Sequence, residues 1–214
     1  RKLRHLTQTT IDYLRHLIDS YGSRWPRRSE ITAFQSVDVR QVARQNLKVA
    51  YDPETSFFGT AVKGDAFQLN VSEYDRILLI SKDGSYRVVG AEEKILIPGR
   101  VIWAGRLDPD VGRTFTVVYR FDDRMAYAKK VLIKSFIRDK EYELVKDRKG
   151  RVDLLVEGDA DLALELDFVP HKRQRVKQAT ADLADLEITG VSARGRRLAP
   201  KPVARIRRLR HRGA

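Results

Sequence analysis

ILLISKDGSYRVV, residues 77–89, decides the fold. An apolar run and a second run rich in β-branched and aromatic residues flank Asp83-Gly84, the pattern of two strands joined by a tight turn. The pattern returns as TFTVVYRF-DD-RMAYAKKVLI (114–133), VDLLV-EGDAD-LALELDF (152–168) and LEITGVSARGRRLAPKPVARI (186–206). A looser version, KVAYDPETSFFGTAV (48–62), precedes them. The turn centres Asp83, Asp122, Gly158 and Arg194 are 39, 36 and 36 residues apart. A hairpin cannot bury its own apolar face, so a repeat of this period predicts hairpins stacked on one another. The expectation is an all-β disc or arc of hairpin blades over residues 45–206, suited to surface binding more than to a buried reaction chamber.

Outside the repeats, Leu3, Leu6, Ile11, Leu14, Leu17, Ile18 and Tyr21 recur at helical spacing and predict a helix stopping near Gly22. Thr9 or Thr10 is read as the cap of a second helical segment, and SRWPRR (23–28) as a turn. The division expected is a helical segment over 1–28, a linker over 29–47, a β domain over 48–206 and a basic tail over 207–214. VIWAG (101–105) reads as a lone strand pairing with a neighbouring blade, and IRDKEYELV (137–145) as an extended strand with alternating charges. For 171–187 a short helix and a loop both remain open. The chain starts without Met and in helical character, and is read as a fragment.

The 214 residues contain no cysteine, which removes disulfides and thiolate metal sites and is compatible with a reducing cytosol. No apolar run approaches the 18 residues of a membrane span, and no signal-peptide pattern opens the chain. The net charge of +13 is uneven: +6 over residues 1–50, −3 over 51–170 and +10 over 171–214. Such an excess is the electrostatic footprint of a polyanion binder.

Catalytic and metal patterns are missing. His5, His16, His171 and His211 form no HxxxH pair, and no dinucleotide, P-loop or GxSxG motif occurs. Asp52, Asp65, Asp83, Asp122, Asp123 and Asp159 sit where Asx turns are favoured. The cations form two groups. Lys129, Lys130, Lys134, Arg138 and Lys140, followed by Lys146, Arg148, Lys149 and Arg151, are interleaved with Asp139, Glu141, Glu143 and Asp147. Lys172, Arg173, Arg175 and Lys177, then Arg194, Arg196 and Arg197, are hardly diluted by acid, and Lys201 and Arg205 belong to the acid-free basic end after Pro200. The residues selected as phosphate contacts are Lys129, Lys130, Lys134, Arg138, Lys172, Arg173, Arg175, Lys177, Arg194, Arg196, Arg197, Lys201 and Arg205.

Several of these stretches resemble one family. TIDYLRHLIDSYGSRWPRRSEI (10–31) is similar to the segment where the helical dimerisation region of a bacterial type IIA topoisomerase A subunit returns toward its C-terminal domain. KVAYDPETSFFGTAVKGDAF (48–67), YDRILLISKDGSYRVV (74–89), KSFIRDKEYELVK (134–146) and SARGRRLAPKPVARI (192–206) resemble successive blades of that domain. The resemblance implies a β-pinwheel whose basic rim binds and bends duplex DNA. It also implies partnership with an ATPase B subunit and the rest of the A subunit, in a nucleoid-associated cytoplasmic setting, with the isolated fragment monomeric. ATP and Mg are implied for the whole enzyme and no cofactor for this stretch. The Gln-Arg-Arg-Gly-Gly-x-Gly box of gyrases has no counterpart, GVSARGRRL (190–198) being glycine-poor, which favours a topoisomerase IV-like protein over a DNA-wrapping gyrase. None of the eight tyrosines follows an arginine, so the family's cleavage tyrosine is not expected here. The competing readings are a β-propeller scaffold for protein partners and an RNA-binding β-barrel. The barrel is disfavoured by the lack of clustered aromatics for base stacking.

Overall fold

The computed structural model describes residues 5–25, 45–146, 150–158, 162–172 and 174–209. The chain divides into two compact units, 1–37 and 38–214. In the first, helix α1 (Leu6–Tyr21) runs through the position expected for a second cap. Thr9 and Thr10 instead donate their hydroxyls back to the carbonyls of His5 and Leu6, at 3.0 and 2.9 Å. Gly22 closes the helix in a right-handed conformation, its N–H donating to Ile18 O. The linker expected over 29–47 falls largely outside the described residues, as does 210–214 of the tail.

Among the described residues of the second unit every regular element is a strand. Its elements are β1 (Leu47–Asp52), β2 (Phe57–Gly59), β3 (Ala66–Val71), β4 (Ile77–Ser81), β5 (Ser85–Val89), β6 (Ile95–Leu96), β7 (Val101–Arg106) and β8 (Arg113–Arg120). There follow β9 (Ala126–Ile133), β10 (Glu141–Glu143), β11 (Arg151–Glu157), β12 (Ala163–Phe168), β13 (Gln178–Asp182), β14 (Ile188–Thr189), β15 (Arg196–Arg197) and β16 (Val203–Arg208). They make four open sheets: β3-β1-β2-β6, β7-β4-β5-β10, β11-β8-β9-β14 with β15 also on β9, and β16-β12-β13.

One rule generates this order. Each repeat lays down a hairpin, sends a short strand back to the second hairpin strand of the preceding sheet, then returns with a third strand beside its own first strand. Thus β6 completes the first sheet, β10 the second, and β14 with β15 the third. The fourth sheet has three strands, and β13 is an edge among the described residues.

Three of the expected hairpins form: β1–β2, β4–β5 and β8–β9. The other two do not. β11 pairs with β8 and β12 with β13 and β16, so the Gly158 turn crosses between sheets instead of closing a hairpin. In 186–206, β14 lies parallel and β15 antiparallel on the same strand, β9, while β16 belongs to the fourth sheet. A glycine turn between two apolar strands looks the same in sequence whether it joins strands of one sheet or of two. The stretch 171–187 contains neither a helix nor only a loop, since β13 is a strand paired with β12. VIWAG forms β7 beside β4, within the sheet of the hairpin that precedes it. Only Glu141–Glu143 of IRDKEYELV is strand, because Asp139, with φ at +63°, turns the chain before it.

Three apolar cores lie between successive sheets. Val49, Tyr51 and Phe58 of the first sheet meet Ile77, Leu79 and Val89 of the second. Leu78, Ile80 and Val88 on the other side of the second meet Phe115, Val117 and Tyr119 of the third. Val118, Ala126 and Ala128 then meet Leu164, Leu166 and Phe168 of the fourth. The two middle sheets are therefore covered on both faces. On the outer face of the fourth sheet, Arg207 pairs with Asp167 at 2.8 Å and Glu165 at 3.6 Å, and Gln178 donates to Asp167. A charged outer face on a terminal repeat keeps a stacked array soluble.

Candidate nucleic-acid interface

The hairpin tips and the loops between them lie along one edge of the stack, as a chain of contacts establishes. At the first tip, Ser56 O accepts from Ile97 N, and Tyr51 Oη donates to Gly99 O at 3.2 Å. Lys82 N at the second tip bonds Arg100 O, and Gly84 O accepts from Leu144 N. Gly84 has φ at +82°, and a Cβ there would meet Val145 at 2.5 Å, which makes glycine necessary. Arg124 O of the third tip accepts from Val203 N, and Pro202 O accepts from Val169 N, which reaches the 169–177 connection of the fourth sheet. Asp52, Asp83 and Asp123 each accept a backbone N–H two residues on, so these carboxylates shape the tips.

Charge changes sign along this edge. The first tip carries Asp52 and exposed Glu54. At the far end Lys172, Arg175 and Lys177 are exposed on the fourth connection, beside Lys201, whose Nζ lies 5.9 Å from the Phe168 ring centre. Between them stand Arg124, at the third tip, and Arg194. Sequence reasoning misses Arg124, because Asp122 and Asp123 beside it mask its charge. Its left-handed φ of +59°, invisible in sequence, turns the tip there.

Arg194 is held by construction. Its guanidinium lies over Phe121 and Tyr127, 5.2 and 5.1 Å from the ring centres. Its carbonyl accepts from Tyr119 Oη. Lys129 holds the same loop from beneath, donating from Nζ to Val191 O at 2.5 Å and Ala193 O at 2.9 Å. Gly195, with φ at +80°, passes so close to β9 that a Cβ would sit 2.5 Å from Ala128 O.

The thirteen selected cations thus separate. Lys129 is 1% exposed and Lys130 6%. Lys129 leaves the surface because its position on β9 faces the core between the second and third sheets, and burial pushes its pKa down to about 8. Exposed Lys134 and Arg138 follow β9 at the opposite edge, where Arg138 pairs with Glu92 and, at 3.4 Å, Asp139. Lys172, Arg175, Lys177, Arg194 and Lys201 come together on the tip edge. Arg196 and Arg197 stand near them, but their guanidinium groups cap carbonyls of Asp182 and of Ala199 and Pro200. Arg205 lies opposite Asp167 on the outer face of the fourth sheet. Arg173 lies outside the described residues, as do Arg148 and Lys149.

Over residues 48–211 the sequence matches the family model of the topoisomerase C-terminal domain of Bacteroidota. The chain belongs to that family. This topoisomerase C-terminal domain is also 29% identical, over 148 residues, to the A subunit of DNA topoisomerase 4 from Borreliella burgdorferi. The match covers 67% of the chain and 23% of the relative, so the domain spans under a quarter of that protein's length. The family is the one the residues resembled. Among the described residues of the domain, no three His, Asp or Glu side chains converge to hold a metal ion, and no helix is long and apolar enough to cross a membrane.

Proposed function

We propose that the tip edge binds duplex DNA through its phosphates and positions it for strand passage by a type IIA enzyme, the domain itself cutting no strand. The observation that carries this reading is the convergence of Lys172, Arg175, Lys177, Arg194 and Lys201 on one edge of a domain of this family. Flexible Lys and Arg side chains on loops contact phosphates without reading bases, so the binding is indifferent to sequence. The whole enzyme is topoisomerase IV-like, relaxing and decatenating with an ATPase B subunit, ATP and Mg. Four stacked sheets about 10 Å apart span roughly 30 Å, close to one turn of B-DNA. In the proposed pinwheel arrangement only the fourth connection, with Arg194 and Lys201 beside it, is strongly basic, the third tip carrying exposed Asp122 and Asp123 next to Arg124. Basic charge on part of such a span steers or bends a duplex but does not close a wrap around it.

Gel shifts with a duplex of mixed sequence test the reading. Lys172→Glu, Arg175→Glu and Lys177→Glu together should lower the slope of log K against log salt by about 3, one per phosphate lost. Lys134→Glu with Arg138→Glu, on the other edge, should change it little. Equal losses would overturn the assignment to the tip edge. Ligating nicked plasmid in the presence of the domain separates bending from wrapping. A large positive change in linking number would favour the gyrase-like reading.

A further inference from the structure

The rule that builds the sheets leaves one position open. In the first three sheets the second hairpin strand is covered by a strand from the following repeat. In the fourth, β13 pairs with β12 and, among the described residues, with no other strand. Phe168 N donates to Lys177 O and Leu183 N to Leu162 O, which fixes the alternation of the ladder. Residues 177, 179, 181 and 183 therefore turn their backbone groups toward β12, and Gln178, Thr180 and Asp182 turn theirs outward. The Asp182 carbonyl is capped by Arg196. The N–H and C=O of Gln178 and Thr180 bond no other backbone group among the described residues, and both residues are exposed. An edge of this kind is a template for strand addition.

The strands that fill the other positions indicate what fits. β10 is Glu141-Tyr142-Glu143 followed by buried Leu144 and Val145, with Glu141 paired to Arg87 of the strand it covers, at 3.2 Å. β6 follows Glu92 and Glu93 and leads into buried Ile97. β14 follows buried Leu186 and exposed Glu187. β6, β10 and β14 thus each stand beside a glutamate and an aliphatic anchor, whereas β15, the second strand laid on β9, is Arg196-Arg197. One end of the open edge carries the complementary charge, since Lys177 immediately precedes β13 and exposed Arg175 lies two residues earlier, while exposed Asp182 stands at the other end.

We propose that the β13 edge takes up an extended segment of a partner protein, bearing one or two carboxylates next to a bulky aliphatic residue, as the fourth strand of the last sheet. The probe is a labelled synthetic peptide copying residues 140–145, KEYELV, added to the whole 214-residue chain. It should bind saturably and shift the backbone amide signals of Gln178 and Thr180. Thr180→Pro deletes an N–H that points away from β12, a place where an edge strand tolerates proline, and should weaken binding at least tenfold. Lys177→Glu, which leaves the backbone intact, should weaken it several-fold, and so should replacing both peptide glutamates by lysine. Binding unchanged in both protein variants, shifts confined to other residues, or no saturable binding would overturn the proposal. It would equally fail if the Gln178 and Thr180 signals moved with protein concentration alone, because the edge would then pair with a second copy of the chain.

Discussion

β4 and β12 each open a hairpin, yet ILLIS is buried at all five positions while ALELDF is buried at every second one. The second sheet is covered on both faces and the fourth on one, so the burial pattern of a strand records how many neighbours its sheet has. In this pair the continuous apolar run marks the middle of the stack, and the alternation marks its end.

The sharpest way to break this comparison is to truncate one residue on each face of the second sheet and one on the outer face of the fourth. Leu78→Ala and Leu79→Ala lie in different cores of the same sheet, both at most 1% exposed, and each should cost about 3 kcal/mol in denaturant unfolding. Glu165→Ala on the outer face of the fourth sheet should stay within about 0.5 kcal/mol. If Leu78→Ala alone were costly, the second sheet would be covered on one face only.

Lys129 gives the next largest effect, as a lysine of the middle sheets whose charge burial opposes. Lys129→Ala orphans the carbonyls of Val191 and Ala193 and should cost about 2 kcal/mol. Through the loosened Arg194 loop it should also weaken DNA binding, as fluorescence anisotropy would show. Lys129 also sets a pH signature. Its folded pKa, near 8, lies below the ordinary 10.5, so between these values the unfolded chain binds more protons. Stability from this group should therefore rise with pH from about 8 to about 10.5 and be flat below. Lys129→Met should abolish that rise in urea titrations at successive pH values, and an unaltered rise would assign it elsewhere.

A smaller effect than that of Lys129 has the opposite sign. Thr116 Oγ1, buried in the third sheet, has no hydrogen-bond partner among the described residues. Thr116→Val should stabilise the fold by about 1 kcal/mol in the same unfolding assay.

The strands were legible because apolar runs and Asp-Gly turns are local signals. Their partners were legible only where the turn was short and the two strands lay adjacent. Ile188–Thr189 pairs with a strand nearly sixty residues earlier, at Lys130 and Val131, and nothing in LEITG encodes that. The cations were legible as charges and not as positions. Lys129 and Lys172 look alike in sequence, but alternation on β9 sends the first inward, whereas the second stands on a connection with no core beneath it. Arg194 could have been marked from the sequence by Gly195 after it, which signals a loop pressed against a strand. The aromatic pair beneath it comes from the tip region seventy residues away.

The strand sent back to the preceding sheet has a consequence for how such a gene can change length. The segment from β4 to β7 supplies a hairpin, a strand for the sheet before it and a third strand for its own. A tandem duplication of that segment would insert a new sheet and still return a strand to its predecessor, so no earlier sheet loses a member. Deleting it would let the next segment take over the same duty. Repeat number can therefore drift by whole segments while the count of uncovered ladder edges stays constant. A crossover one strand out of phase would instead strand a hairpin without its third member and expose a second edge. Selection on foldability alone would thus hold recombination to one phase of the repeat.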